Sequence, residues 1–453
     1  MVGKQICDVM MELEKRKILV VGLGRTGLET VKFLLGKGAK IRASDITSLE
    51  NLPKEINDFV RMGVGVETGF HRRETFLWAD TVVLSPGVSV NIPPVQEAVA
   101  RGIEVISEIE LASRFIKTPM IAVTGSNGKT TTCNLIASIL EKGGRKVFLG
   151  GNIGTPLIEM AEKDHGYDFL VLELSSFQIQ GISDFKPYIA TILNLSPNHL
   201  DHHRDFQEYA QSKMKLFLNQ DGGDWAIYNA DDDIIGEYLP AIKSKKIPFG
   251  KEPMENGVFY DGSCVSFGED RYDLSGMKLL GAHNIENAMA AVAVSRIVGC
   301  RPAQIEKEIS EFNPLPHRIE FVRSLKGAQF YNDSKSTSPG ATLRALECFT
   351  SPIILISGGK DKGLNYDVLK DEIRNKVRLL VLFGESRFRM HGQLGSCSDT
   401  SLASSLEEAL ETAIAAMNSG DTVLFSPACS SFDMYSSYVE RGRVFKELVQ
   451  RLS

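Results

Sequence analysis

Along the chain, short apolar runs alternate with amphipathic stretches, and the repeated unit is a strand followed by a helix. Residues 18–21 (ILVV) form a continuous apolar run between charge and glycine, the pattern of a strand buried on both faces of a parallel sheet. Leu28, Val31, Phe33, Leu34 and Leu35 then supply a broad apolar helix face, stopped by Gly36 and Gly38. A second strand over 39–43 runs to Asp45, and 80–88 (DTVVLSPGV) reads as another. This alternation predicts a parallel α/β sheet to about residue 115.

The pattern restarts at Thr118, where a strand over 120–123 meets a glycine-rich loop and a helix from about Lys129 to Gly143 and Gly144. Further strands are expected at 168–174 and 188–196, with shorter strands and turns between 221 and 280 and an Ala-rich helix after it. The stretch 311–318 (EFNPLPHR) has the proline and charge of a boundary. Beyond it, strands at 328–331, 352–357, 379–383 and 422–425 alternate with helices. The expected fold class is α/β in three domains. These are a Rossmann-like domain over 1–115, a central P-loop-type ATPase domain over 116–315 and a C-terminal doubly wound α/β domain over 316–453.

Composition narrows the function. At 453 residues the chain exceeds one ordinary core, and its net charge of −6 speaks against a nucleic-acid coat or a binder of anionic membranes. An anionic substrate therefore needs a local cluster of donors. The seven cysteines are scattered without metal-finger spacing, as in free thiols of a reducing compartment. Charges occupy the N-terminal stretch where a signal peptide needs an apolar centre, and no apolar run reaches bilayer length. A cytoplasmic protein without membrane insertion is expected.

Two glycine loops carry candidate chemistry. Gly22-x-Gly24-x-x-Gly27, with Asp45 eighteen residues on, is the dinucleotide-binding pattern and by itself suggests an NAD-dependent oxidoreductase. Residues 124–131 (TGSNGKTT) are the stronger signal. Glycines let backbone N–H groups turn around phosphate oxygens, the following helix adds positive charge at its N-terminus, Lys129 offsets phosphoryl charge and the Thr130 hydroxyl suits Mg²⁺. The loop is a variant, with Val123 where the common motif has glycine. Glu173 and His199 each follow an apolar strand, which puts them at the carboxyl ends of a sheet, where such folds bind ligands. His202 and His203 are expected to cap a helix or face solvent.

VTGSNGKTTT resembles the ATP loop of the Mur ligases, and the resemblance runs along nearly the whole chain. Glu173 in LELSSFQ, His199 in NLSPNHLDHH, Asn284 and Asn287 in GAHNIENA, Arg318 in LPHRIE, and Asp333 and Lys335 in YNDSKST follow in the family's order. The resemblance implies an ATP-dependent ligase that phosphorylates a substrate carboxylate and lets an amine attack the acyl phosphate. It assigns ATP to Gly125, Ser126, Asn127, Gly128, Lys129, Thr130, Thr131, Asn284, Asn287, Arg318, Asp333 and Lys335, with Lys129, His199, Lys213 and Lys335 catalytic. Thr130, Glu173, His199 and Lys213 would hold Mg²⁺, two ions in the family, Lys213 at the position of a carbamylated lysine. A UDP-linked substrate would meet Arg25, Thr26, Asp45, Ser85, Pro86, Gly87, Asn152 and His199. A further basic residue that the family often has near Thr47 is missing.

SPACSSFDMY (426–435) is similar to the D-glutamate-adding branch. That branch implies UDP-N-acetylmuramoyl-L-alanine and D-glutamate as substrates, with Thr337, Lys362, Ser431 and Tyr438 at the amino acid, in a monomer that binds no nucleic acid. Tyr438 stands where the branch usually has Phe, and Cys429 reads as a small buried residue. An L-alanine-adding ligase and a non-catalytic nucleotide-gated binder are the rivals. Exchanging the amino acid in an ADP-release assay separates the first, and ATP binding without amine-dependent turnover the second.

Overall fold

The computed structural model describes residues 13–14, 16–162, 165–198, 202–350 and 352–452. They form two compact units, Met1–Gly276 with Glu286–Ser310, and Met277–Ile285 with Glu311–Ser453.

The first unit holds two sheets. Strands β1 (Lys17–Val21), β2 (Lys40–Asp45), β3 (Gly65–Thr68), β4 (Thr81–Leu84) and β5 (Glu104–Ser107) pair in the order β3-β2-β1-β4-β5, all parallel. Because side chains alternate along a strand, β1 sends Leu19 and Val21 into the apolar layer under Phe76 and Val95, and Ile18 and Val20 into the opposite one. The helix Arg25–Gly36 covers that second face with Leu28, Val31 and Leu34.

The second sheet contains β6 (Met120–Thr124), β7 (Val147–Gly151), β8 (Phe169–Glu173), β9 (Ile189–Ile192), β10 (Trp225–Asn229), β11 (Lys245–Gly250), β12 (Val258–Tyr260), β13 (Cys264–Phe267) and β14 (Asp270–Asp273). Its order is β14-β13-β12-β11-β10-β9-β6-β8-β7, parallel except for the hairpins β12–β13 and β13–β14. The apolar pattern led to β6, β8, β9 and the β10, β12 and β13 segments; β7, β11 and β14 are additions, and β14 is the polar edge DRYD. A single apolar cluster runs from Ile18 and Val20 through Leu111 and Leu157 to Leu172 and Phe217, so the two sheets share a core. Two carboxylates brace their junction. Glu110 accepts from the backbone N–H groups of Ser183, Asp184 and Phe185, and Glu108 from Ile158 N at 2.6 Å.

The second unit is built on β15 (Glu320–Leu325), β16 (Ala328–Asn332), β17 (Ile353–Gly358), β18 (Val377–Phe383), β19 (Asp399–Leu402) and β20 (Thr422–Phe425). The order β15-β16-β20-β17-β18-β19 is parallel but for β15–β16. Strand β17 is buried along its whole length, Ile354 and Ile356 facing one layer and Ile353 and Leu355 the other. Among the described residues no helix is long and apolar enough to cross a membrane.

Candidate active site

Strand β6 ends at Thr124, and its carboxyl end opens into the loop that precedes the helix Lys129–Lys142. Gly125 has φ +150° and Gly128 φ +86°, backbone that L side chains rarely adopt. A Cβ on Gly128 would stand 2.3 Å from Asn287 Oδ1, so the glycine also makes room for the Ala-rich helix. Asn287 is buried and accepts from Thr132 Oγ1 at 3.1 Å, which ties that helix to the loop. The opposite wall is Asn194: its carbonyl accepts from Ser126 N at 2.9 Å and its side-chain oxygen from Asn127 N at 2.9 Å. Ser126 Oγ meets Tyr209 OH at 2.9 Å. Lys129 folds over the turn, donating to the carbonyls of Gly125 at 2.8 Å and Ser126 at 3.1 Å. Thr131 is buried behind it.

Beside this loop lies a chain of hard oxygen donors. Glu173, the last residue of β8 and 3% exposed, accepts from Thr130 Oγ1 at 2.7 Å and from Asn152 Nδ2 at 2.8 Å. Hydroxyl, carboxylate and amide oxygen suit Mg²⁺, which keeps several waters and takes few protein ligands. The donor set therefore fits that ion, although among the described residues no group of three His, Cys, Asp or Glu could hold a metal. His199 lies outside the described residues.

Lys213 is buried, which its helical spacing did not announce. Its Nζ donates to Gly125 O at 2.9 Å and Thr124 Oγ1 at 3.3 Å and sits 4.8 Å over the Tyr209 ring. Burial holds the ammonium well below its usual range, the neighbouring Lys129 charge adds to this and Glu173 opposes it. His203 corrects an expectation: it neither caps a helix nor meets solvent. It is buried, its Nε2 2.9 Å from Ser176 Oγ and its Nδ1 3.3 Å from Gln180 Nε2. The cap of the helix Phe206–Met214 is Asp205, and the His202 ring packs 4.1 Å from Phe177.

In the first sheet Gly22 has φ +88°, and a Cβ on Gly27 would stand 1.8 Å from Gly22 O. Ser85 Oγ donates to that carbonyl at 2.7 Å. Asp45 is turned inward, accepting from Leu23 N at 2.6 Å and Thr47 N at 2.7 Å, so its carboxylate holds the glycine turn in shape. The Arg25 side chain reaches Gly154 O at 2.8 Å, which brings the 151–154 loop and Asn152 to the same side. Thr26 opens the helix, half-buried, with Pro86 and Gly87 following β4.

In the second unit Asp333 follows β16 and is buried, accepting from Ser426 Oγ at 2.7 Å and Ile319 N at 3.3 Å. Burial raises its pKa to about 6, while hydrogen bonds from Ser336 and Ser426 and the Arg318 charge pull the other way. Lys335 places its ammonium 4.0 Å over the Tyr438 ring, a cation–π contact that joins two residues predicted for different substrates. Thr337 and Lys362 are exposed, Ser431 is 1% exposed, and Asn284 donates to Leu280 O at 2.7 Å. Cys429 is buried, 3.0 Å from Tyr366 OH and 3.3 Å from Ser386 Oγ, and no hydrogen bond to a histidine is found for it among the described residues. Tyr209 and Asn194 support the phosphate loop in the first unit, Ser426 and Arg441 support the Asp333–Lys335 turn in the second, and all four were missed. Each acts through a contact distant in sequence, and no local motif marks it.

Three family models match: the Mur ligase MurD-like N-terminal domain over 16–107, the Mur ligase middle domain over 123–295, and the Mur ligase glutamate ligase domain over 317–429. A UDP-N-acetylmuramoylalanine–D-glutamate ligase of Geotalea uraniireducens is 44% identical over 447 residues, covering 98% of this chain and 99% of the relative. One of Koribacter versatilis is 41% identical over 449 residues, with 98% and 99% covered. Among solved structures, the UDP-N-acetylmuramate-alanine ligase of Thermotoga maritima shares the fold at TM-score 0.58 and 19% identity, over 96% of this chain and 99% of that one. MurF from Acinetobacter baumannii does so at TM-score 0.61 and 15% identity, over 96% and 93%. With identity of this degree over nearly its whole length, the chain belongs to the Mur ligase family.

Proposed function

We propose that this chain joins D-glutamate to the carboxylate of UDP-N-acetylmuramoyl-L-alanine at the expense of ATP, as a cytoplasmic monomer. The observation that carries the assignment is the 44% identity to a ligase of that name over 98% of the chain. It is supported by a loop geometry that Gly125 and Gly128 shape for phosphate.

On this assignment the backbone N–H groups of 125–131 cradle the ATP phosphates, and Lys129 leaves the carbonyls of Gly125 and Ser126 for a phosphate oxygen. Thr130, Glu173 and Asn152, with His199 and a carbamylated Lys213, are assigned to two Mg²⁺ ions. Mg²⁺ supplies charge neutralisation at the transferring phosphoryl group. Asn284, Asn287, Arg318, Asp333 and Lys335 are assigned to the nucleotide, and Lys335 stabilises the charge that develops as phosphate departs. Carbamylation needs an unprotonated amine, and burial shifts Lys213 in that direction: Nζ bonds to CO₂ carbon and gives a proton to solvent. Arg25, Thr26, Asp45, Ser85, Pro86 and Gly87 are assigned to the UDP portion. Thr337, Lys362, Ser431 and Tyr438 are assigned to the amino acid.

Oxygen-18 in the carboxylate of the UDP substrate tests the acyl phosphate. The label is expected in the released phosphate, and phosphate without label contradicts that intermediate.

A further inference from the structure

At the amino ends of β2 and β3, the first sheet carries a cavity of about 430 Å³ that none of the chemistry above uses. Its volume falls in the range of small-molecule sites. One wall is apolar: Leu35 near the end of the helix Arg25–Gly36, Ile41 of β2, and Met62 and Val64 on the turn into β3. Two glycines keep it open. Gly63 takes φ +89° with nothing near the place of a Cβ, and Gly65 stands opposite Arg42 in the β2–β3 register.

The other wall is cationic, made by Lys40 and Arg42, which alternate with Ile41 along β2. Arg42 lays its guanidinium 4.4 Å from the centre of the Trp78 ring, and Lys17 Nζ lies 5.9 Å from the same ring. An indole face fixes the direction of a cation without neutralising its charge. The acidic side chains of the adjoining segments are engaged elsewhere. Glu67 accepts from Arg72 N at 2.6 Å and Thr75 Oγ1 at 2.9 Å, Asp80 from Lys17 N at 2.9 Å, and Asp58 pairs with Arg61. Among the described residues neither Lys40 nor Arg42 is in an ion pair. A solvated surface charge needs no partner, but two cations that share a cavity with an apolar wall offer both halves of a site for an amphiphilic anion.

We propose that this cavity binds a small amphiphilic oxyanion: the Arg42 guanidinium and Lys40 ammonium take a phosphate or carboxylate head, and an alkyl body lies against Ile41, Met62 and Val64. The site is distinct from the first glycine turn, since three residues of extended strand, roughly 10 Å, separate Arg42 from Asp45.

The chain has two tryptophans, so Trp225→Phe leaves Trp78 as the only indole and its emission as a local reporter. Hexyl phosphate and hexanoate are titrated into that full-length protein, with excess ADP and UDP-N-acetylmuramoyl-L-alanine present to fill other anion sites. Both are expected to change the emission saturably, with half-saturation at about 1 mM or below, and the tighter of the two identifies the head group. Inorganic phosphate and hexanol, each holding half of the recognised chemistry, are expected to bind at least about 10-fold more weakly. Arg42→Gln is expected to weaken hexyl phosphate by about 10-fold or more, and Arg42→Lys by less, with the thermal midpoint unchanged. Calorimetry reads the affinity of these variants, because the substitution itself alters the emission. No saturable change with either anion overturns the site. Hexanol binding as tightly as hexyl phosphate, or Arg42→Gln binding as tightly as wild type, overturns the role of the cations. Inorganic phosphate binding as tightly as its hexyl ester overturns the role of the apolar wall.

Discussion

Replacing Asp333 by Asn is expected to make the protein more stable and less active, and the size of the first effect follows from the structure. The carboxyl is buried, and that burial raises its pKa from 3.8 to about 6. Between those values the folded state binds more proton than the unfolded state, so stability falls as pH rises through the window and the full cost is present above it. At 1.36 kcal/mol per unit this amounts to about 3 kcal/mol at neutral pH. Asn fits the same contacts. Its oxygen accepts from Ile319 N, its amide donates to Ser426 Oγ, and Ser426 keeps Thr342 Oγ1 at 2.9 Å as its own acceptor. Urea unfolding of the two proteins at pH 7.5 and pH 3.5 measures the effect. The variant is expected to be more stable by up to about 3 kcal/mol at the higher pH and equal at the lower, with slower ADP release at pH 7.5. A variant less stable than wild type at pH 7.5 refutes the claim that Asp333 is held as a costly buried charge for the sake of the reaction.

Three further outcomes are expected. Glu108→Gln, away from the nucleotide loop, should gain about 3 kcal/mol at pH 8 and converge with wild type below pH 4.5, because burial pushes that carboxyl up to about 7 and leaves Oε2 unpartnered; pH-dependent denaturation checks it. Gly128→Ala should abolish nucleotide binding by calorimetry, whereas Gly144→Ala, at φ +81° with nothing near its Cβ, should cost only the ~1–2 kcal/mol of left-handed backbone and bind normally. Lys213→Met should melt at or above the wild-type temperature near pH 7, since a lysine whose ammonium is depressed by burial costs stability below its unfolded pKa and regains it only as pH rises toward 10.5. Gly125 O keeps Lys129 as its donor in that variant, and turnover should fall by roughly 100-fold or more.

What could be read from the chain was what is local. Apolar runs such as 353–356 lie between layers on both faces, and alternation is enough to place them. The phosphate loop is contiguous, so its glycines and Lys129 announced themselves together. The supports were not legible, because they depend on contacts between distant segments. The separation of 22 positions between Leu23 and Asp45 hides a carboxylate that shapes the first glycine turn. Lys213 looks like a solvated helix charge until its helix packs its Nζ against Gly125. Histidine spacing gave no sign that His203 would be enclosed between Ser176 and Gln180. The shared core of the first two sheets was equally hidden, since a pattern of apolar positions shows that a face is covered and not what covers it.

The most direct test of the central claim is ADP release with ATP, Mg²⁺ and UDP-N-acetylmuramoyl-L-alanine while the amino acid is varied. Release that requires D-glutamate, with L-glutamate and L-alanine inert, is the predicted result. Release driven by L-alanine or another amino acid would contradict the acceptor assigned here, and folded protein that binds ATP yet releases no ADP with any amine would contradict the ligase itself.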